Sequence, residues 1–154
     1  MKKLGLLLKT GIAAGLIALA DNGVKDNIER NVSVGETFEL INHGVTIHRH
    51  HNKGLPMNIA DKHQKEVAAV SSAALTVEML YAGLKILNNG TPLTALAHSL
   101  IIGGALSNTA DRVLKGYVVD YLSFKKGKAI YNISDFAIMA GAALVVLDEL
   151  FTKE

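Results

Sequence analysis

The chain has 154 residues, enough for one domain and too few for two separate cores. Hydrophobic residues make up 49% of it and aromatic residues only 5%, while a net charge of +2 is too small to argue for a nucleic-acid partner. The absence of cysteine excludes disulfides, thiolate metal sites and a cysteine nucleophile.

In chain order, four apolar stretches at 4–20, 67–87, 93–110 and 133–151 predict helices. Each is about 17 to 21 residues long, at or near what a bilayer core requires. Polar residues interrupt all four: Lys9 in the first, Glu78 and Lys85 in the second, His98 in the third, Asp135 and Asp148 in the fourth. The apolar runs still go nearly all the way round, where helices of a soluble bundle would each show a polar face. Small residues four apart (Gly11 and Gly15, Gly103 and Ser107, Ala137 and Gly141) suit close approach of helix backbones in lipid. Mean hydropathy is only +0.27 because the 16 basic and 14 acidic residues collect in the linkers.

The linkers are unequal. Segments 21–66 and 111–131 are long and polar, whereas 88–92 is a tight turn. Four spans would put both long linkers on one side and the turn with both termini on the other. Phe38 and Leu40, then Val45 and Ile47, alternate around Asn42-His43-Gly44, which predicts a hairpin. Residues 117–124 are β-rich and run into Lys125-Lys126-Gly127-Lys128. The expected fold class is an all-α polytopic membrane protein of one domain, four helices carrying a small β platform.

Met1-Lys2-Lys3, an apolar run and Ala18-Leu19-Ala20 together resemble a cleavable secretory signal. Lys9 breaks that run and three further spans follow, so a retained first helix is expected. Sidedness is contested by charge. Lys2, Lys3, Lys85 and Lys153 lie by the termini and the turn, but Arg30, Arg49, Lys53, Lys115 and Lys125 lie in the long linkers. A plain positive-inside count would put those linkers in the cytoplasm, and the residues alone leave the question open.

Acids and amides cluster where the spans meet the long linkers. Asp21 and Lys25 share a helix face by their i, i+4 spacing. Asn108, Asp111 and Arg112 end the third span, Asp120 follows on the β-like segment, and Asn132 and Asp135 open the fourth. Ionisable groups at that depth are costly and are functional candidates for that reason. Plainer readings compete: Asp111 pairs with adjacent Arg112, and Asn132 and Asp135 simply cap a helix. His48, His50 and His51 lie close together around Arg49. They are read as a solvated loop, with no metal expected.

The run Gly103-Gly104-Ala105-Leu106-Ser107-Asn108-Thr109-Ala110-Asp111-Arg112, then Gly116-Tyr117-Val118-Val119-Asp120-Tyr121, resembles the lipoprotein signal peptidase (signal peptidase II) pattern G-G-A-x-x-N-x-x-D-R…G-x-V-V-D-F. Tyr131-Asn132-Ile133-Ser134-Asp135-Phe136-Ala137-Ile138 with Gly141-Ala142 is similar to its F-N-x-A-D-x-x-I…G-A. Asp21-x-x-x-Lys25 and Asn52-Lys53-Gly54 resemble its shorter D-x-x-x-K and N-x-G motifs. Leu55-Pro56-Met57 departs from the small residues usual after N-x-G, Ser134 replaces Ala, and Tyr121 and Tyr131 stand where Phe is usual.

The resemblance implies four spans with both termini cytoplasmic, and the long linkers outside. It implies an aspartic endopeptidase of the bacterial cytoplasmic membrane, with Asp120 and Asp135 as its catalytic acids. Asn108, Arg112, Asn132, Asp21, Lys25, Asn52 and Gly54 would line or support the site, and Asp111 would pair and orient. The implied substrate is a prolipoprotein with a diacylglyceryl-modified cysteine, cut just before that cysteine. No cofactor is implied; the partners would be substrate and membrane lipid, for a monomer that binds no nucleic acid. The competing readings are a family member that binds lipidated chains without cutting them, a small transporter using Asp21, Asp111 and Asp135, and a secreted His-rich binding protein.

Overall fold

The computed structural model describes residues 2–41, 44–55, 59–124 and 129–152. The expected turns at Asn42-His43 and 125–128, together with Pro56, Met57 and Lys153, lie outside the described residues. The element order is α1 (Lys2–Asn31), β1 (Thr37–Ile41), β2 (Val45–Asn52), α2 (Gln64–Asn89), α3 (Pro92–Leu114), β3 (Val118–Phe124), β4 (Ile130–Tyr131) and α4 (Ile133–Thr152).

The chain is built around α3, which packs against α1, α2 and α4. Its start is firmly set. Thr91 and Thr94 form a reciprocal capping box with Pro92 in the first turn, and Thr94 Oγ1 also donates to Asp148 Oδ2 at 2.6 Å. α1 presents Thr10, Ala14, Ala18, Asp21, Lys25 and Ile28 inward, a stripe at three- and four-residue steps. This helix runs to Asn31, well past the expected end of the first span at residue 20, and so carries Asp21 and Lys25 on regular helix.

Polarity runs opposite to that of a soluble bundle. Leu4, Leu8, Ile12, Leu16 and Leu19 are exposed along α1, as are Val70, Val77, Leu80 and Leu84 along α2. Asp21, Lys25, Thr94, His98, Ser107, Asn108 and Asn132 are buried. Apolar patches on that scale mark contact with lipid or a partner. Among the described residues, α1 and α2 are long and apolar enough to cross a membrane on length and composition alone. α3 is diluted by its polar buried side, and α4 by Asp135, Asp148 and Glu149.

Small residues matter at α3 and α4 and not at the start of α1. A Cβ on Gly141 would stand 2.6 Å from the Ala97 carbonyl oxygen, and one on Gly103 2.8 Å from that of Ala14. Gly104 meets the Ser134 carbonyl just as tightly. Gly11 and Gly15, expected to serve the same purpose, face open space. Gly141→Ala should therefore force α3 and α4 apart and cost about 1–3 kcal/mol. Gly11→Ala should cost nothing. Thermal unfolding of both variants in detergent checks the contrast.

The four strands form one antiparallel sheet in the order β1-β2-β3-β4. The sheet rests on the projecting end of α1, where Ile28 and Val32 pack with Val119 and Tyr121. An irregularity between Ile47 and His50 resets the β2–β3 register, so that His50 faces Asp120 and Asn52 faces Val118. The two-residue β4, too short to be legible in the sequence, leads directly into α4.

Candidate functional site

Asp120 and Asp135 reach the site from different elements, and asparagine amides join them. Asp120 sits on β3, where Asn52 Nδ2 donates to its Oδ2 at 3.0 Å and Asn132 Nδ2 to its Oδ1 at 2.8 Å. Asp135 lies in the first turn of α4. Its Oδ2 accepts from the Asn132 backbone N–H at 3.0 Å, while its own N–H donates to Asn132 Oδ1 at 2.9 Å. Asn132 and Asp135 are thus caps, as the plainer reading had it, but capping leaves Asn132 Nδ2 free to point at the site. That group also donates to Asn108 Oδ1 at 3.1 Å, and Asn108 Nδ2 donates to Asp135 Oδ1 at 3.0 Å. Asn132, Asn108 and Asp135 thus close a ring at the boundary between helices and sheet, and Asp120 is tied to it through the Asn132 amide.

Burial dominates the titration of Asp120. Burial first, then the neighbouring Asp135, push it from the ordinary 3.8 up to about 7, against the hydrogen bonds from Asn52 and Asn132. A folded Asp120 therefore holds a proton over a range where the unfolded chain has released it. Protonation favours the fold, so this group's contribution to stability rises as pH falls from about 7 to about 4. Asp120→Asn should lack that rise, which thermal unfolding of parent and variant at the two ends of the range would show.

Lys25 is the hub of a second network. Its ammonium, fully buried, lies 2.8 Å from Asp21 Oδ2 and 3.1 Å from Asp111 Oδ2. It also donates to Ser107 Oγ and Asn108 Oδ1, both at 2.9 Å, which fixes the way the Asn108 amide points. The expected Asp111–Arg112 pair does not form. Adjacent helix residues point about 100° apart, so Asp111 turns to Lys25 and to Lys115, the latter 3.0 Å away one turn on. Its Oδ2 also accepts from the Val119 N–H at 3.3 Å, tying α3 to β3. Burial pulls Lys115 down, but Asp111 and Glu29 outweigh it and hold the ammonium above its ordinary value.

Arg112 points elsewhere. Nη2 donates to the Gly54 carbonyl at 3.3 Å and Nη1 to the Asn108 carbonyl at 3.4 Å, while buried Nε has no partner among the described residues. Gly54 is held in turn by Asn52 Oδ1, which accepts from its N–H at 3.1 Å. Arg112, Asn108 and Asp135 line one end of a cleft of about 370 Å³ between α2 and α4, with α3 as its floor. Leu75 and Glu78 of α2 line its other reaches.

Three supporting groups escaped the sequence reading. Tyr121 Oη donates to Asp21 Oδ1 at 3.0 Å, and Ser134 Oγ and Ser107 Oγ donate to Oδ2 at 2.5 and 2.7 Å. Tyr121 and Ser134 are two departures from the family pattern, and both add a hydroxyl aimed at the same carboxylate. The histidines separate. His48 bonds Ser123 at 2.6 Å, His51 bonds Glu29 at 3.0 Å and stacks on Tyr117, and His50 stands across from Asp120 on the same sheet face. Burial, then the charges of His51 and His48, lower the pKa of His50. The alternation of β2 distributes the trio, a register that composition does not reveal.

The fold and site define a helical membrane protein with buried acids at the end of a cleft that opens between its helices. A family model described as signal peptidase (SPase) II matches residues 13–151. The lipoprotein signal peptidase of Shigella flexneri is 33% identical over 138 residues, covering 86% of this chain and 84% of that one. That of Brucella ovis is 32% identical over 141 residues, covering 87% and 84%. A bacterial membrane enzyme solved by the in meso method at 2.3 Å superposes with a TM-score of 0.82 at 25% identity, covering 94% of this chain and 89% of that one. A second, solved at 1.9 Å, gives a TM-score of 0.79 with 92% of each chain covered. The chain belongs to the signal peptidase II family, membrane proteases that remove signal peptides from prolipoproteins.

Proposed function

We propose that this protease is an aspartic endopeptidase in which Asp120 and Asp135 share one water and one proton. Two acids in one buried site do not both ionise cheaply. The ionised carboxylate takes a proton from the water, whose oxygen attacks the scissile carbonyl carbon. The protonated partner donates to the carbonyl oxygen and, as the tetrahedral intermediate collapses, a proton passes to the leaving amine. The titration belongs to the pair, so neither acid has a fixed role. Asn108, Asn132 and Asn52 hold the carboxyls, and the place of Arg112 at the end of the cleft supports a role in binding a substrate carbonyl oxygen. The amide-bridged chain Asp120–Asn132–Asn108–Asp135 is the observation that carries this reading.

The substrate is a prolipoprotein whose signal helix lies in the bilayer and is cut just before its diacylglyceryl-modified cysteine. The opening between α2 and α4 suits lateral access from lipid. All four helices cross the cytoplasmic membrane of a bacterium as one domain, and the chain works as a monomer without a cofactor. The sheet and linkers 21–66 and 111–131 lie outside the cytoplasm.

Purified protein incubated with a lipid-modified prolipoprotein should release its signal peptide and leave the modified cysteine at the new N-terminus. Equal cutting of the unmodified precursor, or no cutting of either, would overturn the assignment. For topology, cysteines placed at Ser33 and at Asn89 are probed in intact cells with a membrane-impermeant thiol reagent. Position 33 should label and position 89 should not; the reverse pattern would turn the protein over.

A further inference from the structure

Away from the acids, the bundle holds a polar pair that the mechanism does not use. Glu78 Oε1 on α2 and His98 Nδ1 on α3 are 2.7 Å apart, with the Tyr81 ring set edge-on to the imidazole at 5.6 Å. The His98 side chain is 3% exposed and that of Glu78 is 22% exposed, so one partner is sealed and the other is open. Glu78 lines the same cleft as Arg112, Asn108 and Asp135. Its Oε2 has no hydrogen-bond partner among the described residues. An ionisable group inside a span is expensive, and a simple tie between α2 and α3 could be made by uncharged groups.

Depth follows from helix geometry. From His98 to Asn108 is ten residues of unbroken α3, about 15 Å at 1.5 Å per residue. A signal helix lying along α3, with its cut at the acids, places a residue about ten positions before the cut against Glu78. That part of the substrate lies in lipid, where an unpaired donor is costly and a matched one is favourable.

Resting on the peptidase reading above, we propose that Glu78, oriented by His98, is a specificity subsite for the membrane-embedded signal helix. It accepts a hydrogen bond from a donor side chain, the hydroxyl of Ser or Thr, about ten residues before the cut. His98 is a positioning residue: it holds one carboxyl oxygen so that the other stays turned to the cleft.

The test needs first only the unaltered enzyme. Lipid-modified prolipoproteins with an all-leucine signal helix are compared with versions carrying one Ser at each position from six to fourteen residues before the cut. A three- to tenfold gain in kcat/KM, confined to about one helical turn centred near ten, is expected. In Glu78→Leu combined with His98→Leu, which removes both polar groups, the ratio of Ser to all-leucine substrate should fall to about one. In Glu78→Gln it should fall part of the way. An enzyme that cuts every substrate with no positional preference, or a double variant that keeps the preference, overturns the subsite and leaves the peptidase reading standing. An unaltered enzyme that cuts none of them overturns the peptidase reading itself, and the subsite with it.

Discussion

Asp120→Asn and Asp135→Asn should each lower the rate of prolipoprotein cleavage about a thousandfold or more, with the protein still folded in the membrane. The size follows from the chemistry. One carboxylate must remove a proton from water while a carboxylic acid supplies one to the carbonyl oxygen, and an amide does neither. The fold should survive, because Asn132 Nδ2 can still donate to the amide oxygen of a new Asn at position 120 and only the Asn52 amide must turn, giving up its bond from the Gly54 N–H. Removing one of two crowded acids also relieves their repulsion, so Asp120→Asn is expected to match or exceed the parent in thermal stability near neutral pH. Single-turnover cleavage in detergent, beside an unfolding curve, separates lost chemistry from lost structure. Near-parental turnover in either variant would contradict the assignment.

Lys25→Met is the structural counterpart and should be the most damaging single change to stability. The ammonium is fully buried and stands between Asp21 and Asp111, themselves 0% and 3% exposed. Its removal leaves two buried carboxylates without their shared cation, a loss of about 3–5 kcal/mol. It also removes one of the two donors that hold Asn108 Oδ1, and so loosens the amide that holds Asp135; activity should fall beyond what the stability loss explains. Asp21→Asn added to Lys25→Met should recover part of the stability, since one stranded charge is gone. Asp111→Asn should be milder, because Lys25 keeps Asp21 and Lys115 keeps Glu29. Tm values for the three variants beside the parent give the order directly, and a Lys25→Met protein as stable as the parent would remove Lys25 from the centre of the network.

Much of this was legible in the sequence where the contact is local. The i, i+4 spacing of Asp21 and Lys25 forces them onto one face of α1, and Asn132 with Asp135 has the spacing of a reciprocal cap. The hairpin was visible from alternation in 38–47, and the four helices from apolar length. Contacts that depend on how helices rotate against each other were not. Asp111 sits beside Arg112 in the chain, yet α3 turns it towards a lysine on α1. Gly11 and Gly15 have the spacing of a packing motif, but the face of α1 that carries Thr10, Ala14 and Ala18 is the one turned to α3. The irregularity in β2 that sets His50 against Asp120 leaves no mark in composition, because no described residue of the strand takes a positive φ that would call for glycine.

Whether Asp120 and Asp135 act as one unit is the central question, and non-additivity answers it. Single-turnover cleavage of one lipid-modified prolipoprotein is measured for the parent, Asp120→Asn, Asp135→Asn and the double variant. If both acids serve a single water, either substitution removes the whole proton relay, and the double variant should be no more than about threefold slower than the slower single. A double variant slowed by the product of the two single effects would mean that the acids act independently, and would contradict the shared-water mechanism.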